Sequence, residues 1–548
     1  MEEPDADADA DGAEARPIHY TRWPIVEGYV ARPSVVAGET IELHTASRAE
    51  RFSVEVTRVG AERRPVWSAA DVAGHDHPVP DRAWADGCDW PVACSIPTGP
   101  TWPSGFYELT LRAEPDGRSA GGADRDPARR RSEAFVVLRP AATVAPGDLL
   151  LVLSTNTWNA YNQWGGRGLY RGADRVSFAR PLERGYLRRP SAPHEVAFDG
   201  RITDIEDPPD PEHRRLVDYQ RTGAWPLLTA SSGWHNWERR FVRWAEAAGY
   251  RVDVATNRDL ETDPDLLDRY RLVASVGHDE YWSWGMRDTM DRWVAAGGNW
   301  AILSGNTSFW QVRYEDDGRT MVCHKGRARI DDPVRGRADH LLTSMWSDPR
   351  IGRPETATTG LTFSRGGYHR IGGAVTGGPG GYTIHRPDHW LFAGTGLAEG
   401  DVLGAGSVVV GYEVDGCALR WTPGESGGAP RPAPTGVDGA PADLEILATA
   451  PARLISITDE VCEAPTAIWA TVDPPGDLEG VAMILHDTPN PTAEQLAELG
   501  AGHAVLGTFT RGAGTVVNVG SADWAYGLDD DPAVQRVTAN LIERLLGR

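Results

Sequence analysis

The chain has 548 residues, more than one hydrophobic core usually supports, so two or three domains are expected. Its formal net charge is −23, with no cluster of Lys and Arg among aromatics to offset it, which speaks against binding a phosphate backbone. There is no apolar run long enough for a membrane span and no apolar core behind the acidic N-terminus, so neither a span nor a secretion signal is expected.

Five scattered cysteines (Cys88, Cys94, Cys323, Cys417, Cys462) form no CxxC pair, which disfavours a thiolate zinc site. Cys88 and Cys94 are near enough in sequence to pair, but a reduced, cytoplasmic protein is the simpler expectation.

Residues 1–16 are acidic with almost nothing to bury and read as a disordered tail. From 17 to 143 apolar residues recur with period two: Ile41 and Leu43, then Phe52, Val54 and Val56, then Tyr107, Leu109 and Leu111, with a last strand at Ala134–Leu138. Short strands with turns between them predict an immunoglobulin-like β-sandwich, with the charged, Gly-rich stretch 116–131 as a hairpin loop.

The texture changes after Pro140, and residues 144–548 predict an α/β domain. Leu149–Leu153 is an unbroken apolar run, as a strand buried on both faces requires. Then come a predicted helix at 237–248, a strand at 251–255, a short helix near 263–269, a strand at 271–276, a helix at 284–296 stopped by Gly297 and Gly298, and a strand at 300–304. This βαβαβ order predicts a parallel sheet with helices on both faces. Residues 481–485 and 514–519 read as further strands, 534–545 as a closing helix, and 331–459 as a mixed insertion.

Ligands of open parallel sheets bind beyond the carboxyl ends of the strands. Three predicted exits, 154–170, 277–282 and 304–310, are dense in polar and aromatic side chains, and a fourth, 411–415, follows an apolar run at 408–410. Each residue has an ordinary reading: Asp279 as a helix cap, His278 as a structural histidine, Tyr161 and Tyr170 as packing. Their convergence on one edge favours a site. No GxSxG, HExxH or strand-borne GxGxxG is present, and the adjacent Cys323 and His324 would point apart on a strand. Glu280 together with tyrosines offers hard anionic oxygens, which suit Fe(III).

The pieces TWNAYNQWGGRGLY (157–170), FARP (178–181), GYRVDVAT (249–256), YRLVASVGHDEYWS (270–283), AAGGNWAILSGNTSFW (295–310) and GAGTVVNVGSADWAYGL (512–528) resemble the C-terminal part of the N,N-dimethylformamidase large (beta) subunit family. The resemblance implies a glutamine-amidotransferase-like α/β fold and a mononuclear Fe(III) amidohydrolase acting on a small amide. By motif position it implies metal ligands at Tyr161, Tyr170 and Glu280, and catalytic roles for His278, Asn306 and Glu413. Trp158, Trp282, Phe309 and Trp310 are expected to wall the substrate site. The loop between the two tyrosines is shorter here than in the family, and Asp279 stands where members often have Pro. Family members are oligomers, so a homo-oligomer is allowed, while no small partner subunit can be inferred. Two other classes stay open: a binding or structural module that kept the shell without the chemistry, and a hydrolase using another metal on another small amide.

Overall fold

The computed structural model describes residues 22–115, 126–189, 226–371, 375–376, 378–423, 429–459 and 476–548. The predicted acidic tail, the tip of the 116–131 loop and Cys462 lie outside them.

Two sheets make up the N-terminal part. Ser34–Val36, Arg131–Arg139, Gly105–Ala113, Arg51–Val59 and Arg63–Ala73 lie side by side in that order, and Val26–Val30, Thr40–Ser47 and Val92–Pro97 form the second sheet. Ile41 and Leu43 from one sheet share a core with Val54, Val56, Leu109, Leu111 and Val136 from the other. Only one residue of Gly105–Ala113 is exposed, because both of its faces are covered. Tyr107, Leu109 and Leu111 point into this core, whereas Phe106 points out of it into the core of the second part. There Phe106 stacks on Trp234 with ring centroids 4.1 Å apart, and Trp158 sets its edge against Phe135 at 5.2 Å. Deleting a buried aromatic at such a junction costs about 3–5 kcal/mol.

The second part is built on nine strands, in the order Val252–Thr256, Leu149–Leu153, Leu272–His278, Asn299–Gly305, Gly514–Asn518, Gly502–Arg511, Glu445–Ala452, Tyr382–Ile384 and Val402–Leu403. The first five run parallel to their neighbours. The remaining pairings are antiparallel. Leu149, Leu151 and Leu153 enter one core while Leu150 and Val152 enter the opposite one, so the run is apolar throughout. Glu238–Ala247 and Pro532–Leu546 cover the first face, and Trp284–Ala295 covers the second. The last of these starts where Ser283 accepts a hydrogen bond from the Met286 amide and ends at Gly297, whose φ of 114° favours glycine.

Leu149–Leu153, earliest of the nine in sequence, has the second strand on one side and the third on the other. Connections therefore depart in opposite directions from this point, which opens a crevice beyond the carboxyl ends.

Several expectations need correction. Residues 481–485 are not a strand but the end of the helix Asp477–Leu485, and a short apolar run cannot distinguish the two. The run at 408–410 is not a strand either: Val408 has a left-handed φ of 50°, and the strand is Val414–Gly416. The short helix lies earlier than predicted, at Asn257–Thr262, followed by a 3-10 turn at Leu266–Arg269. The stretch 331–459 supplies three strands of the nine-stranded sheet. Cys88, Cys94, Cys323 and Cys417 are free thiols. Among the described residues, no helix is long and apolar enough to cross a membrane.

Candidate metal centre

The first exit is a helix, Thr155–Tyr161, all of whose residues are buried. It is clamped to its neighbours: the Asn156 amide donates to Asn257 Oδ1 at 3.0 Å, and Thr157 Oγ1 accepts from the Glu280 amide at 2.9 Å. The chain then turns back through Trp164-Gly165-Gly166-Arg167-Gly168. A Cβ on Gly168 would lie 2.8 Å from the Asn162 carbonyl, so this return requires glycine. Buried Arg180, from the FARP piece, knits the turn by donating to the carbonyls of Trp164 (2.6 Å), Asn162 (2.9 Å), Ser177 (3.0 Å) and Asn159 (3.1 Å). Tyr170 arrives at the end of this turn beside Tyr161, with ring centroids 4.3 Å apart.

The second exit begins at Gly277, with φ of 85° and Trp237 where a Cβ would go. His278 and Glu280 follow, fully buried. His278 Nδ1 is 2.9 Å from the Ser231 carbonyl, which can only accept, so Nδ1 carries a hydrogen. Nε2 then faces Glu413 at 2.5 Å and Glu280 at 3.3 Å.

At the third exit, Asn306 and Ser308 hold left-handed φ values of 49° and 58°. Asp415 sustains this turn by accepting from the amides of Asn306 (2.9 Å) and Thr307 (3.1 Å). Asn306 Nδ2 in turn donates to Glu413 at 2.9 Å. Glu413 reaches the site because Gly305 lets its backbone pass: a Cβ there would be 2.2 Å from the Glu413 carbonyl oxygen.

Tyr170 Oη lies 2.8 Å from Tyr161 Oη and 2.9 and 3.1 Å from the two Glu280 oxygens. One ligand atom each from His278, Glu280 and Glu413 also fall within 4.8 Å of one another. The six residues expected to carry chemistry are thus brought together. Phe309 and Trp310 line the adjoining cavity of about 80 Å³. Trp158 and Trp282 do not belong to this wall. Trp158 is wedged against Phe135 and donates to Glu238 at 3.2 Å, and Trp282 packs on Trp300 and donates to the Asp279 carbonyl at 3.0 Å. Both are core residues whose ring N–H needed a partner. Asp279 caps no helix; its Oδ1 accepts from Asn257 at 3.0 Å.

The site includes residues that sequence reasoning passed over. Tyr281 donates to Tyr170 Oη at 2.9 Å. Tyr412 hydrogen-bonds Glu413 and Tyr161. Lys325 places its ammonium 3.1 Å from the Tyr170 ring centroid. Tyr368 and Asp477 also line the cavity. Tyr281 and Tyr412 adjoin predicted residues, which is a usable signal; Lys325, Tyr368 and Asp477 carried none.

Burial, then the charge of Glu280, pushes the Tyr161 and Tyr170 phenols well above their ordinary value. Burial also lowers the Lys325 ammonium to about 8, against the pull of Glu280. Glu280 is raised by burial, but His278 and then Lys325 and Tyr170 outweigh this and hold it below the usual range. For His278, burial favours the neutral ring, yet Glu413 and Glu280 together keep it well above the ordinary value.

These residues fit a cation. Two donors at right angles about an ion roughly 2.0–2.1 Å from each lie roughly 2.8–3.0 Å apart. Tyr170 Oη has about that spacing to Tyr161 Oη and to Glu280, which it hydrogen-bonds in this structure. A bound positive charge would also reverse the rise of the phenols. The cluster is therefore of a class that could hold a metal ion through buried oxygen and nitrogen donors at the strand ends of an α/β sheet.

The family model described as N,N-dimethylformamidase beta subunit-like, C-terminal, matches residues 53–538, and the chain belongs to this family. The N,N-dimethylformamidase beta subunit of Paracoccus aminophilus is 28% identical over 181 residues, covering 27% of this chain and 24% of the relative. The beta subunit of that name from an Alcaligenes species is 26% identical over 181 residues, with the same coverage. The match thus spans about a quarter of these relatives' length. A Parabacteroides merdae β-glucuronidase structure aligns over 52% of this chain and 30% of its own at 11% identity, and its TM-score of 0.14 is too low to bear on the fold.

Proposed function

We propose that this chain hydrolyses a small amide to a carboxylate and an amine, with an Fe(III) ion held by Tyr161, Tyr170 and Glu280. The observation that carries the reading is the contact of the two phenol oxygens with each other at 2.8 Å and of Tyr170 with Glu280 at 2.9 Å, with Tyr161 and Glu280 buried. Two phenolates and a carboxylate would balance a 3+ charge with hard donors. In this reading the second part is a glutamine-amidotransferase-like domain and the first an immunoglobulin-like sandwich.

When bound, the ion supplies Lewis-acid polarisation of the amide carbonyl. The chain's residues handle the protons. Water adds to the carbonyl carbon, the C–N bond breaks, and the departing nitrogen must take a proton because an amide anion leaves poorly. His278, fixed at Nδ1 by Ser231, holds a proton at Nε2 shared with Glu413; this proton passes to nitrogen, and the proton released by the attacking water replaces it on the His278–Glu413 pair. Asn306 keeps Glu413 in place through Nδ2. Its Oδ1 has no partner among the described residues and is free to orient the attacking water. Phe309, Phe363 and Val481 keep bulk solvent out, which strengthens each of these electrostatic contacts.

Purified protein should contain about one iron per chain, show a tyrosinate-to-iron charge-transfer band, and release amine from short amides. Glu280→Ala should lose metal and colour while keeping its circular-dichroism spectrum. Folded, metal-free, colourless wild type would end the proposal. The grouping of His278, Glu280 and Glu413 supports a second reading, a divalent ion held by those three. Tyr161→Phe separates the two: it removes metal in the first and leaves it in the second.

A further inference from the structure

The cavity beside the cluster carries further polar groups. Besides Tyr161, Tyr170, Glu280 and Glu413, Asp477 and Tyr368 line its wall, together with the apolar Phe309, Phe363, Val481 and Ile484. Asp477 opens the helix Asp477–Leu485, whose later residues Val481 and Ile484 line the same cavity. Its carboxyl is hydrogen-bonded by Tyr368. Its Oδ2 atom is shielded from solvent and has no hydrogen-bond partner among the described residues. Burial first, and then the charge of Glu413, pushes this carboxyl up to about 8, and an N–H donated to Oδ2 would favour its ionised form and bring it back down. Asp477 thus shares one cavity, of about 80 Å³, with Tyr161, Tyr170, Glu280 and Glu413.

We propose that Asp477 is a specificity-determining residue whose Oδ2 accepts a hydrogen bond from a donor on the amine side of the substrate, so that the site takes small amides bearing N–H or O–H there in preference to N,N-dialkyl amides. This rests on the amide-hydrolase reading above. A dialkyl amide leaves Oδ2 buried and unpaired, whereas an N–H supplies the missing donor. Sites built around a buried polar group reject analogues that lack its partner much more strongly than they reject an extra methylene.

The test uses the full-length, metal-loaded chain and two matched ligands, N-methylacetamide and N,N-dimethylacetamide. It measures kcat/KM by amine release and, separately, Kd by quenching of tryptophan fluorescence, to which Trp310 in the cavity wall is suited. Wild type should favour N-methylacetamide tenfold or more in both. Asp477→Leu should bring the ratio to near unity with metal content unchanged, and the near-isosteric Asp477→Asn should retain part of it through its amide oxygen. Hydrolysis of both amides with no preference in wild type, or with the same preference in Asp477→Leu, overturns the inference and leaves the amidase reading standing. Donor-dependent binding lost in Asp477→Leu, without any turnover, upholds the inference and overturns the amidase reading. Failure to bind or hydrolyse either amide overturns both.

Discussion

Glu238 ties stability to pH at the element that delivers Tyr161. It is buried at the start of Glu238–Ala247, and its Oε1 accepts from Ser154 Oγ at 2.6 Å and Trp158 Nε1 at 3.2 Å. Oε2 has no partner among the described residues. Burial outweighs these donors and moves the carboxyl from an ordinary 4.5 to about 7. Between those values the folded chain holds a proton that the unfolded chain has lost, so stability falls as pH rises through this window and levels off above it. At 1.36 kcal/mol per pH unit the gap is worth about 3 kcal/mol, as an order of magnitude. Glu238→Gln keeps the Oε1 acceptor and cannot ionise. Urea unfolding of wild type and variant at about pH 4.5 and about pH 8 should show the variant gaining about 3 kcal/mol on wild type between the two. The comparison is with wild type at each pH because buried Glu27 and Glu183, also near 7, act with the same sign. Parallel pH curves for the two proteins would refute the reasoning.

Gly305→Ala should force the Glu413 carbonyl away from a Cβ otherwise 2.2 Å distant; amine release is expected to fall at least tenfold while Tm drops by only a few degrees, and an active variant would show that Glu413 is not held by this contact. Arg180→Leu removes donors from four buried carbonyls of the turn between the tyrosines, a loss of about 3 kcal/mol or more. Thermal unfolding and iron content should both fall; unchanged values would mean the turn does not depend on Arg180.

Strand cores and their exits could be read from the sequence because a strand with two covered faces has no polar positions: Leu149–Leu153 is such a strand over those five residues. His278, Glu280 and Asn306 lie at or just after strand ends, and the family resemblance placed the two tyrosines in the exit after Leu153. Long-range contacts were not legible. Glu413 depends on a missing side chain at Gly305, more than a hundred residues away, and Lys325 and Asp477 come from segments with no catalytic pattern. Val481–Leu485 misled because five apolar residues suit a strand or a helix equally; the acidic Asp477 and Glu479 in the first turn settle it as a helix. Trp158 and Trp282 misled because tryptophan beside polar residues looks like a binding wall, while here each ring N–H serves the core.

Gly514–Asn518 is the latest in sequence of the nine strands, yet it sits at their centre, between Asn299–Gly305 and Gly502–Arg511. During synthesis the Asn299–Gly305 edge must therefore wait, unpaired, for a segment made some two hundred residues later. Such an exposed apolar edge invites pairing with other chains, so the nascent protein should depend on chaperone shielding until that strand leaves the ribosome.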